Sequence, residues 1–337
     1  KKRNAMKEYI TIATRKILPI ALLLCTLASC IKDDELEPCP KGVSLRFVYD
    51  YNMEYANAFP SKVDCVTLYI YDADGNYVAT RTETGDVLQD ENYRMQIDLE
   101  EGTYQFVAYG GLACGEHSFA PTAEPGQGSV RSDLRIAMQG NGETSNVKLH
   151  DLFYGSLDVT VEGDFYKEHT LYMMKNTNNV RIILQQLNNQ PLASEDFDFR
   201  ITDDNTLFNY DNSLIPNGTL TYAPWSQGEE TVGESGGEDT QVTVAYAELS
   251  TSRLMTENHP RLLITASEDG REIVNIPLND YLLLLKSDLY ADMPAQEFLD
   301  RESEWSLIFF LDDNNVWLQT VIVINDWVVR LNNIPLS

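Results

Sequence analysis

The chain has 337 residues, too many for one ordinary core and suited to about two domains of roughly 100 to 200 residues each. With 43% hydrophobic and 10% aromatic residues it is not a disordered polymer, because that much apolar surface offsets the entropy of folding. Its 25 basic against 52 acidic residues, net −27, exclude nucleic-acid binding by counterion release, since most of the surface repels phosphate.

The N-terminal segment departs from that acidic balance. Lys1, Lys2, Arg3, Lys7, Arg15 and Lys16 precede an apolar run at 17–28, with Glu8 the only acid. A basic stretch followed by about a dozen apolar residues has the layout of a secretory signal and falls short of the roughly 20 residues a membrane-spanning helix needs. The run ends in Leu27-Ala28-Ser29-Cys30, which resembles the bacterial lipobox. That resemblance implies Met6 as the start, residues 1–29 as a lipoprotein signal peptide, cleavage between Ser29 and Cys30, and acylation of Cys30. The competing reading is an ordinary secretory signal, or an uncleaved anchor, with Cys30 incidental. Loss of residues 1–29 leaves 19 basic and 51 acidic residues, net −32. Two or three acyl chains at about 0.8 kcal/mol per buried methylene then suffice for stable anchoring. Residues 30–42 read as an acidic tether, in which Lys32, Asp33 and Asp34 resemble the tag that sends lipoproteins of some Gram-negative anaerobes to the outer face of the outer membrane. A plain solvated tether carries the same kind of charge.

Short β-type runs follow. Residues 43–49 alternate, 63–71 are rich in β-branched and aromatic residues, and Asp72-Ala73-Asp74-Gly75-Asn76 turns the chain into 77–82. A second hairpin joins 93–99 to 103–109 through Glu100-Glu101-Gly102. Residues 110–142, rich in Gly, Pro, Ser and Gln, read as a long loop region with one short strand at 134–138; strands resume at 146–149 and 155–161. The pattern lapses near 164, which predicts an N-terminal β-sandwich at 43–164 and a C-terminal one at 165–337. The second set runs 169–175, 179–184, 197–202, 218–223 and 241–248, with 225–240 read as a flexible acidic loop. Strands close the chain at 261–267, 271–277, 305–311, 317–324 and 327–331, and only 278–286 and 294–301 look helical. Strands spaced at about 8 to 12 residues without long helices predict an all-β class, a sandwich or a barrel.

Chemistry-bearing patterns are sparse. Cys25 leaves with the signal and Cys30 is acylated, so Cys39, Cys65 and Cys114 remain. Cys65 lies in a strand-like run where a thiol packs as a small hydrophobe, whereas Cys39 and Cys114 sit in loop-like sequence, and a Cys39–Cys114 disulfide is expected. His117, His150, His169 and His259 are scattered singly, without metal-ligand spacing. Asp72, Asp74, Asn76 and Glu83 occupy positions 1, 3, 5 and 12 of a calcium loop, but Tyr77 stands where that loop has Gly, so a hairpin turn is the better reading. The chain carries no Gly-rich phosphate loop and no Gly-x-Ser-x-Gly elbow, and Asp203-Asp204 and Asp312-Asp313 read as turn acids. No catalysis, cofactor or metal is expected.

Several blocks taken together resemble the FimB-like fimbrial anchor lipoproteins. They are Cys30 with its acidic tether, Cys39-Pro40, residues 43–49, 66–75 and 102–109, then Lys175-Asn176-Thr177-Asn178-Asn179, Asn209-Tyr210-Asp211-Asn212, Leu282-Leu283, 297–302, 309–312 and Ile324-Asn325-Asp326-Trp327. Their order over roughly 300 residues carries the resemblance. It implies two tandem transthyretin-like β-sandwiches, lipid-held at Cys30 in the outer membrane and exposed at the cell surface. Such a protein fixes the base of a fimbria, limits its length and pairs strands with the first shaft subunit. Shaft fimbrillins of such systems are trimmed after an arginine to open a groove; Arg46 and Arg81 lie in strand-like runs, which favours an anchor. The alternative is a surface lipoprotein that binds glycans or host protein, as an adhesin or tip subunit.

Overall fold

Val43, Leu45 and Phe47 are at most 3% exposed while Ser44 and Arg46 between them are half-buried, so β1 (Gly42–Val48) turns one face to a core. In the computed structural model the described residues are 41–140, 142–163, 165–232, 241–284, 286, 290–324 and 327–332. Along the chain follow α1 (Phe59–Lys62), β2 (Cys65–Asp72), β3 (Tyr77–Thr84), β4 (Met95–Asp98), β5 (Gly102–Gly110), β6 (Phe119–Pro121), β7 (Arg135–Met138), β8 (Thr144–Ser145), β9 (Phe153–Val161), β10 (Tyr166–Tyr172) and β11 (Met174–Lys175). Then come β12 (Thr177–Gln186), β13 (Phe197–Asp203), β14 (Leu207–Asn209), β15 (Leu220–Tyr222), β16 (Ser226–Val232), β17 (Val242–Ser252), β18 (Arg261–Ala266), β19 (Glu272–Pro277), α2 (Leu278–Leu283), α3 (Ala295–Arg301), β20 (Glu304–Leu311), β21 (Trp317–Ile324) and β22 (Trp327–Asn332). The chain is mostly β, as its patterning predicts.

The N-terminal sandwich stacks the sheet β10-β1-β4 on the sheet β11-β9-β5-β2-β3. In the larger sheet, Val66, Leu68, Ile70, Phe106 and Ala108 face the N-terminal core, whereas Tyr69, Tyr71, Val107 and Tyr109 face the opposite way. Those four join a second core with Ile182, Phe199, Leu262 and Trp305, so this sheet is buried on both faces. That double burial is why β2 reads as a near-continuous apolar run rather than an alternating one. The C-terminal half contributes the sheets β16-β17-β12-β20-β21-β22 and β19-β18-β13-β15-β8.

Three expectations change. The stretch at 110–142, read as a loop region with one short strand at 134–138, holds that strand as β7 and in addition β6 and the approach to β8; β7 pairs with β14, and β8 lies parallel to β15. Phe119 packs edge-on against Phe208, and Ile136 is fully buried beside them. β6 and β8, with three and two residues, are too short for local patterning to register among Gly- and Pro-rich turns. Second, β10 pairs in parallel with β1 and β11 pairs with β9, so the N-terminal sandwich runs past the expected break near 164 as far as Lys175. Gly155 makes room for this, because a Cβ there would lie 2.4 Å from Leu171 Cδ2 and 2.5 Å from the Tyr172 carbonyl oxygen. Third, half of the expected acidic loop is the strand β16, paired along its length with β17. Helices α2 and α3 fall where the sequence predicts them.

The expected disulfide is also corrected. Cys114 bonds to Cys65, not to Cys39, which lies outside the described residues. Antiparallel pairing of Val66 with Gly110 brings the chain after β5 back beside the start of β2, and the Gly111 amide donates to the Cys65 carbonyl. This leaves the two Cα atoms 5.3 Å apart, within bridging reach. Cys114→Ser therefore lowers the unfolding free energy in urea by about 2–4 kcal/mol, while Cys39→Ser leaves it unchanged; the reverse pattern would reinstate the Cys39 pairing.

Candidate functional site

Ser29, Cys30, Lys32, Asp33, Asp34 and Cys39 lie outside the described residues, and Cys114 is in the disulfide with Cys65. Among the described residues no helix is long and apolar enough to cross a membrane. At the calcium-like spacing the structure has a hairpin turn. Asp72 Oδ1 accepts from the amides of Asp74 (3.0 Å) and Asn76 (2.8 Å), and the Asn76 side-chain amide donates to both carboxylate oxygens. These bonds, led by the Asn76 side chain, hold the carboxyl below its usual range. Glu83 pairs with Val66 at the other end of the ladder from Tyr71–Tyr77, out of reach of the turn. Of the two arginines weighed as trimming positions, Arg46 sits mid-strand in β1 with its Nε buried, and Arg81 is exposed on the edge strand β3.

Sheet edges are the features with which an all-β protein can engage an extended partner. β16 is blunted by its acids: Glu229 accepts from the Ser194 amide at 2.6 Å, and Glu230 pairs with Arg181. β19 ends in Pro277, and the strand pair it forms with β18 shifts register at Ile264/Thr265. β3 carries Arg81 and Glu83. β22 differs. It pairs with β21 over six residues, contains one charged residue, Arg330, and no proline, and no strand among the described residues covers its outer side.

The blocks that the sequence sets apart at 175–179, 209–212 and 297–302 converge at the junction between the N-terminal sandwich and the C-terminal half. Arg253 makes a two-pronged bond to Asp300, both distances 2.7 Å, and donates to the Asn212 carbonyl at 2.9 Å. Asn176 and Asn212 exchange side-chain amide bonds at 2.6 and 3.0 Å with both residues buried, and the Asn176 amide donates to the Leu152 carbonyl. Lys175 Nζ, with its side chain 6% exposed, lies 3.1 Å from Asp151 and 3.4 Å from Glu304. Arg301 stacks on Tyr51 and Tyr55 at 4.1 and 4.6 Å from the ring centroids and donates to the carbonyls of Asp50 and Asn52. Local patterning assigns these asparagines and charges no partners; only the tertiary structure brings them together. Two open grooves, of about 600 and 680 Å³, flank this body. The first is lined by amides and hydroxyls such as Gln139, Asn146, Thr206 and Asn217, the second by charges including Lys62, Glu116 and Lys148.

Asp203, at the end of β13, is buried, with one oxygen accepting from the Asp204 amide and Asn258 and the other unbonded. Burial pushes its carboxyl up from 3.8 to about 6, opposed by those hydrogen bonds and by His259 and reinforced by Asp204. The protonated form is favoured on folding, so its contribution is complete below about pH 4 and is lost as pH rises through about 6. Asp203→Asn thus raises unfolding free energy at pH 7.5 by an amount on the order of 2 kcal/mol, and the gain vanishes toward pH 4. A gain independent of pH in urea titrations would remove the carboxylate as its cause.

Residues 36–333 match the family model of the fimbrillin-A associated anchor proteins Mfa1 and Mfa2. No curated protein matches the chain. Among solved structures, a candidate adhesin from Bacteroides thetaiotaomicron is 56% identical, with a TM-score of 0.82, covering 88% of this chain and 100% of that one. A candidate polysaccharide-binding protein from the same organism is 32% identical, with a TM-score of 0.74 and coverage of 87% and 98%. The fimbrial anchor protein Mfa2 from Porphyromonas gingivalis shares the fold at 18% identity and a TM-score of 0.65, covering 87% of this chain and 99% of that one. With the family model spanning nearly all of the described β structure, the chain belongs to the fimbrillin-A associated anchor protein family.

Proposed function

We propose that this protein is the non-catalytic base of a fimbria, held in the outer membrane by lipid on Cys30 and displayed on the cell surface through the tether at 30–42 with its Lys32-Asp33-Asp34 tag. It takes the first shaft subunit by strand addition and sets fimbrial length by holding that subunit. The observation that supports this reading is the position of β1. It is the middle strand of its sheet, bonded to β10 on one side and β4 on the other, with Val43, Leu45 and Phe47 in the core. A domain that keeps this strand has no vacated groove to accept one, so the shaft subunit meets the outer edge of β22, where main-chain bonds give affinity and alternate side chains give register.

Deleting the gene leaves fimbriae longer and shed into the medium, as seen by electron microscopy of cells and supernatant; attached fimbriae of normal length would defeat the reading. Cys30→Ala releases the protein from membranes and abolishes fatty-acid labelling. A photo-crosslinking residue at Val329 captures the shaft subunit, identified by mass spectrometry, whereas one at Thr80 on β3 does not. The glycan-binding alternative draws on the candidate polysaccharide-binding relative. Under that reading the deletion leaves fimbriae untouched and the purified protein retains glycans on an array.

A further inference from the structure

Strand β1 is gripped from opposite ends. Residue 41 leads directly into Gly42, so anything that pulls on the N-terminal side pulls at the Gly42 end. The C-terminal half holds the other end. The loop just after β1 is clasped by Arg301 of α3 through Tyr51, Tyr55 and the carbonyls of Asp50 and Asn52, while within the N-terminal sandwich the Val48 carbonyl accepts from the Met173 amide at 2.8 Å. β10 leaves the sheet at the same end, through Tyr172 into Lys175 and Asn176 of the polar junction and on into β12.

The two strands run parallel over seven registered pairs, from Gly42↔Tyr166 to Val48↔Tyr172. Load therefore enters the ribbon at Gly42 on β1 and leaves at Tyr172 on β10. In that geometry the ladder bonds lie across the pull and strain together, whereas a load applied at one end of a strand pair parts them one at a time. β4 adds a second ladder on the other side, from Gly42↔Asp98 to Leu45↔Met95. Sliding β1 by one residue also takes Val43, Leu45 and Phe47 out of the core.

Two side-chain straps cross the outward face of β1 near the loaded end. The Tyr166 hydroxyl on β10 donates to Asp98 on β4, and both residues flank Gly42. Next along, Arg94 beside β4 bonds Glu168 of β10 at 2.9 Å, above Ser44. A glycine is needed at the first crossing, where φ is +152° and a Cβ would lie 1.9 Å from the Ile97 carbonyl oxygen. Exposed bonds of this kind add little to equilibrium stability. What they do is block the outward peeling of β1, leaving lengthwise sliding as its way out.

We propose that β1, β10 and the two straps form a shear clamp that lets the N-terminal sandwich carry axial load between the tether and the C-terminal half. The clamp rests on the anchoring role proposed above for its biological use, but its mechanics can be measured on the isolated chain. Single-molecule force spectroscopy on residues 30–337 compares two attachments in the unsubstituted sequence. Handles at the N- and C-termini load β1 and β10 in shear; handles at the N-terminus and at Glu162, just before β10, load the same strands from one end. Release of β1 at a fixed force is expected to be about tenfold slower or more in the first geometry. Tyr166→Phe combined with Glu168→Gln is expected to shorten the lifetime in shear while leaving the urea midpoint in place. Equal lifetimes in the two geometries would overturn the clamp, as would straps whose removal shifts the urea midpoint and not the shear lifetime. Neither result bears on whether gene deletion sheds fimbriae, so failure of the clamp and failure of the anchoring role are read separately.

Discussion

The sheet built on β2 and β5 has no solvent face along its centre, and the rest of the fold answers to that constraint. Successive side chains on a strand point to opposite faces. Val66, Leu68 and Ile70 are therefore committed to one core, and Tyr69 and Tyr71 to the other. Each such side chain contributes on the order of 1.5–3 kcal/mol by leaving water, so neither half can separate without exposing a wall of aromatic surface. Tyrosine rather than phenylalanine on the second face is costly: the Tyr71 and Tyr109 hydroxyls are buried without a hydrogen-bond partner among the described residues, and burial drives the Tyr109 hydroxyl far above its ordinary pKa.

Around that apolar wall the junction is polar and specific. Arg253 and Asp300 are both largely withdrawn from water, and a buried ion pair gains stability only when its remaining donors are also satisfied. Here Arg253 also donates to the Asn212 carbonyl, and Asp300 also accepts from the Gln296 side-chain amide. Reciprocal amide bonds between Asn176 and Asn212 add direction that apolar contact lacks, since a shift of either segment leaves buried amides unpaired. Asn212 adopts φ +65°, a backbone state that asparagine tolerates better than most residues. Residues at 176, 212, 253 and 300 thus tie the segments at this junction to one another.

Strand exchange between the halves follows the same logic. β7 and β8 come from the stretch between β5 and β9 yet pair with β14 and β15, while β10 follows that whole stretch in sequence and returns to pair with β1. Strands from the stretch between β5 and β9 therefore complete sheets of the C-terminal half, and β10, which follows that stretch, completes a sheet of the N-terminal half. The acidic surface acts alongside them. Glu229 and Glu230 occupy an edge strand that would otherwise invite pairing, and their internal bonds to Ser194 and Arg181 spend the charge on closing that edge.

What the sequence determined by itself is local. Alternation at 43–49 and the Asp72–Asn76 turn need only near neighbours, and so do the two short helices, so these read directly from residue order. The apolar run at 63–71 identified a strand, though its two-faced burial could not be assigned before both cores existed. Cys114 looked like a loop cysteine, and it is one; its partner was decided by the antiparallel return of β5 on β2, which sets Cys65 beside it. Likewise Phe119 lies in Gly- and Pro-rich sequence whose strand β6 pairs with β7, the one strand of that stretch legible in the sequence, and the extent of the N-terminal sandwich was decided by the parallel pairing of β10 with β1. Periodicity is a property of neighbours a few residues apart, whereas sheet partnership depends on segments far apart meeting in register, and only the tertiary structure supplies that meeting.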